Sequence, residues 1–170
     1  MYRERMETLK EWKVSKNRKP LIIRGARQVG KTWLMKEFGK LYYEKCAYIN
    51  FDNNSRMDIL FNEEFDLDRI IQGLKIESGI NIEPENTLII FDEIQETPKA
   101  LKTLKYFYEN ANEYHIVAAG SLLGVAMHQG TSFPVGKVNF MDLMPLSFFE
   151  FLDALGQEHL LNLLKNNEFD

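Results

Sequence analysis

The residues able to do chemistry fall into three short groups. The first is Gly25-Ala-Arg-Gln-Val-Gly-Lys-Thr32, the G-x-x-x-x-G-K-T spacing of a phosphate-cradling loop. Glycine at both ends lets the backbone curl close to a ligand. The curl turns successive N–H groups inward as a nest for anionic oxygens. A helix starting at Gly30-Lys31 adds the positive end of its dipole. The candidate phosphate contacts are therefore Gly25, Ala26, Arg27, Gln28, Val29, Gly30, Lys31, Thr32 and Trp33. Lys31 is spaced to reach β- and γ-phosphates, and the Thr32 hydroxyl to ligate Mg²⁺.

The second group is Asp92-Glu93, at the end of the apolar run Thr87-Leu-Ile-Ile-Phe91. Asp92 is expected to share the metal with Thr32. Glu93, expected on the other side of the strand, is the candidate to activate a water in line with the γ-phosphate. The plainer alternative is a pair of solvated carboxylates opening a loop. The third group is Gly120-Ser121. Ser121 either hydrogen-bonds the attacking water or the γ-phosphate, or is an ordinary turn residue. Gln95 is a further polar candidate. Arginine commonly stabilises phosphoryl transfer, yet none follows Arg69. Lys137 is the best-placed cation of the second half, and it lacks the guanidinium fork. Slow hydrolysis by the isolated polypeptide is the expectation. His115, His128 and His159 show no ligand spacing, and no nucleophilic triad is evident.

Strands and helices must bring these groups together. Leu21-Ile-Ile23 reads as a buried strand before the loop, and Leu34, Phe38 and Leu41 as one face of the helix after it. Upstream, Met6, Leu9 and Lys13 predict a helix to about Trp12, which either packs on the domain edge or borders a nucleotide base. Lys45–Phe51 predicts a second strand, and Asp52-Asn-Asn-Ser55 a turn or helix-cap cluster. Asp66 or Asp68 is expected to cap a helix with Leu67, Ile70, Ile71 and Leu74 on its apolar face, ended by Gly79. Thr87–Asp92 is the third strand. Pro98 opens a helix striped by Ala100, Leu104 and Phe107. Tyr114–Ser121 is the fourth strand, and Lys137–Leu143 the fifth. Residues 121–136 read as a long connection, either mobile or functional. Leu146–Leu155 predicts an amphipathic helix capped by Ser147 and interrupted at Gly156, with a Leu-rich segment beyond. Alternating strands and helices imply an α/β fold with a parallel sheet covered on both faces. All three chemical groups then lie at strand C-termini, where such sheets bind ligands.

At 170 residues, with 45% hydrophobic and 27% charged, the chain has the composition of one globular domain. A net charge of −4 gives no global signature for nucleic acid, although Lys10, Lys13, Lys16, Arg18 and Lys19 make a local basic run that leaves DNA in view as a partner. The single Cys46 suits a reducing compartment. With no membrane-length apolar run and no secretory signal, a cytoplasmic location is expected.

Four segments carry a family resemblance: Arg18–Thr32, Ile90-Phe-Asp-Glu-Ile-Gln95, Ala119-Gly-Ser121 and Leu143-Met-Pro-Leu-Ser-Phe-Phe-Glu-Phe-Leu152. Their order resembles the prokaryotic AAA-type ATPases whose ATPase domain is followed by a C-terminal domain of unknown function. The resemblance implies a three-layer P-loop NTPase fold (RecA/AAA-like) with a five-stranded core. It implies Lys31 and Thr32 as the Walker A contacts, Asp92 and Glu93 as the Walker B pair, and Ser121 as a sensor. ATP and Mg²⁺ are the implied ligands, and ATP hydrolysis would drive or gate a partner domain. Family members usually carry Gly-Arg where this chain has Gly136-Lys137, and they are usually longer. Residues 1–170 are therefore expected to form a single ATPase domain, truncated before its partner domain, with an apolar end that favours self-association. The competing expectation is a slow nucleotide-dependent switch that orders residues 121–136.

Overall fold

The computed structural model describes residues 3–120 and 136–157, with residues 159, 160, 162 and 164 beyond them. Five parallel strands form one sheet. They are β1 (Leu21–Arg24), β2 (Lys45–Asn50), β3 (Thr87–Asp92), β4 (His115–Ala119) and β5 (Asn139–Asp142), in the order β2-β3-β4-β1-β5. Six α-helices accompany them among the described residues: α1 (Arg5–Val14), α2 (Lys31–Tyr42), α3 (Ser55–Asn62), α4 (Leu67–Ser78), α5 (Pro98–Asn110) and α6 (Phe148–Ala154).

Period-two alternation splits the apolar residues between two cores. On β3, Leu88 and Ile90 join Met6, Leu9, Leu34 and Phe38 of α1 and α2. Ile89 and Phe91 join Phe61, Ile70, Leu74 and Phe107 of the helices on the opposite face. Every β3 residue is buried, as a central parallel strand requires. Burying each Leu- or Phe-sized side chain stabilises the fold by about 1.5–3 kcal/mol. This sheet holds the strand ends, and hence the chemistry, in fixed register.

The helix boundaries follow from local chemistry. The Asp66 side chain accepts from the Arg69 N–H, and Gly79 ends α4 at φ 69°. Pro98 occupies the first turn of α5. Ser147 and Glu150 form a reciprocal capping box on α6.

Two local expectations, at Leu41 and on α6, need correction, and two open readings, at Asp52–Ser55 and at Trp12, are resolved. Leu41 is 55% exposed. The inner face of α2 continues instead through Met35, Phe38 and Tyr42, whose ring lies 5.4 Å from that of Phe38. The cluster at Asp52–Ser55 opens a whole helix, α3, with Asn54 accepting from the Met57 N–H. The inner face of α6 is carried by Glu150 and Leu152 rather than by its phenyl rings: Phe148, Phe149 and Phe151 are exposed. Trp12 is a packing residue. Its indole N–H donates to the Lys19 carbonyl at 2.7 Å, and its ring meets Phe38 and His115.

The basic N-terminal run is largely committed to internal partners. Lys10 pairs with Glu7, Lys13 donates to the Tyr42 carbonyl, Arg18 to the Asn112 carbonyl, and Lys19 to the Gly136 carbonyl. Among the described residues, no helix is long and apolar enough to cross a membrane.

Candidate functional site

The site forms where β1 and β3 end on one edge of the sheet. β4 separates the two strands, placing Ala119 opposite both Ile23 and Asp92. The loop that leaves β1 passes tightly beneath the end of β5. A Cβ on Gly25 would lie 2.3 Å from the Leu143 carbonyl oxygen, so only glycine fits without a shift. Gln28 and Gly30 take left-handed conformations, with φ 63° and 90°, and close the curl. Gly30 then starts α2 with no side-chain cap and no acidic residue in the first turn. The orphan N–H groups of that turn are left for an anion.

Lys31 is 6% exposed. Its ammonium donates to the carbonyls of Gly25 at 3.0 Å and Ala26 at 2.7 Å, which holds it across the curl. Burial lowers its pKa from the ordinary lysine value, against the opposing pull of the Glu93 and Asp92 carboxylates.

Asp92 closes β3 and is buried. Alternation from Leu88 and Ile90 puts its side chain on the α2 side of the sheet, where the Thr32 hydroxyl donates to Oδ2 at 2.7 Å. The Tyr48 hydroxyl donates to the same oxygen at 3.0 Å, and the Glu93 N–H to Oδ1 at 3.2 Å. These hydroxyl and carboxylate oxygens suit Mg²⁺, a hard cation held by one or two carboxylates together with substrate phosphates.

Glu93 lies past the strand, so alternation no longer sets its direction. It adopts a left-handed conformation at φ 52°. It lines the same cavity, about 640 Å³, as Arg27, Gln28, Lys31, Thr32 and Trp33, with Asp52 and Glu96 also on the wall. The Gln95 amide donates to Glu93 Oε2 at 2.6 Å and to Glu96 at 3.2 Å. Gln95 thus braces Glu93. A larger hollow, about 780 Å³ beside Phe65 and Tyr106, contains none of these groups.

Not every sequence candidate reaches the cavity. The Val29 side chain turns into the core, and Ala26 contributes its carbonyl to Lys31. Ser121 lies outside the described residues, as do His128 and residues 121–135 of the long connection. Lys137 precedes β5 on the opposite edge of the sheet, where it pairs with Glu109 at 2.9 Å. Two contributors escaped sequence reading. One is Tyr48, which touches Asp92. The other is Arg3, which is 4% exposed. Its guanidinium donates to the Val29 carbonyl at 3.1 Å and the Met144 carbonyl at 2.8 Å, and its Nε lies 3.1 Å from Glu150. Strand alternation could have flagged Tyr48; nothing local flags Arg3.

A glycine-bracketed phosphate loop on β1, a carboxylate ending β3 and a single strand between them define a P-loop ATPase domain of the AAA type. The sequence matches the AAA domain family over residues 17–152, and the chain belongs to that family. No curated protein sequence matches it. Among solved structures, the Aeropyrum pernix ORC2 protein in its ADP form is similar at TM-score 0.56 and 18% identity, covering 94% of this chain and 53% of that one. The Aeropyrum pernix ORC1 protein in complex with DNA is similar at TM-score 0.53 and 14% identity, covering 93% of this chain and 50% of that one. The chain thus spans about half the length of each, and likeness at this identity speaks for the fold alone.

Proposed function

We propose that this domain binds ATP with Mg²⁺ and hydrolyses it. The observation that carries the reading is the 2.7 Å contact between the Thr32 hydroxyl and Asp92 at the mouth of the phosphate loop. Lys31 and the N–H groups of the loop bind the phosphates. Thr32 and Asp92 hold the cation, which neutralises charge on the β- and γ-phosphate oxygens when bound. Glu93, braced by Gln95, accepts the proton of the attacking water. Ser121 assists that water or the γ-phosphate. Turnover drives or gates a partner domain, a role supported by the exposed phenyl rings of α6. The committed contacts of Lys10, Lys13, Arg18 and Lys19 lend no comparable support to DNA as the partner.

Phosphate release and ATP binding measured on Glu93→Gln and Lys31→Ala test this reading. Glu93→Gln is expected to keep ATP affinity and to lose turnover by about 10²-fold or more. Lys31→Ala is expected to lose binding itself. An unmodified protein that binds ATP with no measurable release would favour a nucleotide-dependent switch instead. Unchanged affinity in Lys31→Ala would overturn the assignment of the loop.

A further inference from the structure

Tyr48 lies outside the assignments above, yet it touches the carboxylate at their centre. It occupies the middle of β2. Ala47 and Ile49 enter the core beneath α3, α4 and α5, whereas Cys46 and Tyr48 pack with the α2 side. β2 runs parallel to β3 with Asn50 opposite Asp92. A residue two positions before Asn50 therefore lies on the same face as Asp92, one strand away, and a tyrosine spans that gap. Its hydroxyl donates to Asp92 Oδ2 at 3.0 Å, the oxygen that also accepts from Thr32. The ring is clamped from α2. The Lys36 ammonium stands 3.6 Å from the ring centroid, one helical turn beyond Thr32.

An aspartate at the end of a strand can swing about two side-chain torsions. Hydroxyl donors from two different elements on one oxygen, together with an N–H on the other, remove that freedom. We propose that Tyr48 is a positioning residue, which holds the Asp92 carboxylate in the orientation it shares with Thr32 and so sets the affinity of the site for the divalent cation. The proposal rests on the assignment of Thr32 and Asp92 as cation ligands. Partners that orient a metal ligand typically account for 10–100-fold in metal affinity, and a hydrogen bond to a charged carboxylate is among the stronger ones.

The test is Tyr48→Phe in the full chain, which removes one oxygen and keeps the ring beneath Lys36. ATP affinity is titrated against Mg²⁺ from none to saturation, and Mn²⁺ binding in the presence of ATP is followed by electron paramagnetic resonance. The expected result is a rise of about tenfold in the cation midpoint by both readouts, with cation-free ATP affinity within about twofold of the unmodified protein. Superimposed cation titrations would overturn the proposal while leaving Thr32 and Asp92 as ligands. An equal fall in cation-free affinity would also overturn it, because the hydroxyl would then be a structural brace of the whole loop. Should the unmodified protein bind ATP without regard to the cation, the proposal would fall together with the ligand assignment beneath it.

Discussion

His115 shows how a side chain remote from the chemistry can set the working range of the domain. It is buried at the start of β4, with Nδ1 2.7 Å from the Tyr43 hydroxyl and its ring edge-on to Trp12. Burial, reinforced by the nearby Arg18 and Lys13 charges, lowers its pKa from 6.5 to about 4. The unfolded chain takes up a proton on this ring as pH falls through 6.5, while the folded chain does not until about pH 4. The unfolded state therefore holds more protons across that window, and stability falls with falling pH, by at most about 3 kcal/mol. Below about pH 4 the ring contributes no further change. Urea midpoints of the unmodified protein and His115→Gln, measured from pH 7.5 to 4, should diverge in slope inside this window. Parallel curves would show that other groups carry the acid sensitivity.

At the scale of elements, α6 is held from behind by a buried ion pair. Arg3 and Glu150 are 4% and 7% exposed. The Glu150 carboxylate also accepts from the N–H groups of Glu4 and Ser147. Removing one member of such a pair strands the other charge out of water. Arg3→Met is expected to cost about 3–5 kcal/mol in urea denaturation, and Arg3→Met combined with Glu150→Gln to recover much of that loss. A double variant no more stable than Arg3→Met alone would mean that the charges do not act as a pair. This element also marks where sequence reading fails. The apolar spacing of Leu146–Leu155 correctly indicates a helix, and Ser147 its cap, but the buried face is decided by an arginine almost the whole chain away. The phosphate loop is the opposite case. Gly25 through Thr32 are neighbours in sequence, so spacing alone reveals the curl and the helix that follows. The apolar run of β3 likewise announces a strand buried on both faces. Helical spacing does not say whether residue 41 or 42 closes the last inner turn of α2, and the structure gives the place to Tyr42.

For the whole molecule, the distribution of cations matters more than the net charge of −4. The second half of the chain carries no arginine after Arg69, and Lys137 is paired on the far edge of the sheet. An arginine supplied to the transferring phosphoryl group is worth roughly 10³–10⁵-fold in rate. Single-turnover ATP hydrolysis by dilute protein is therefore expected on the order of 10⁻³ s⁻¹ or slower. The rate should rise when a second protein, or a second copy of this chain, brings a further guanidinium to the site beside Arg27. Measuring the rate constant over a hundredfold range of protein concentration checks this. A fast rate that ignores concentration would show that the charge already in the chain, Arg27 foremost, suffices.

The guanidinium of Arg3 ends against the back of the curl at Val29. Arg3 thus braces the curl from outside the pocket, although it precedes the loop by more than twenty positions. A fusion joined next to Arg3 would load that brace, and nucleotide assays on such material would report the fusion along with the protein. A label for purification or spectroscopy is better carried elsewhere on the chain.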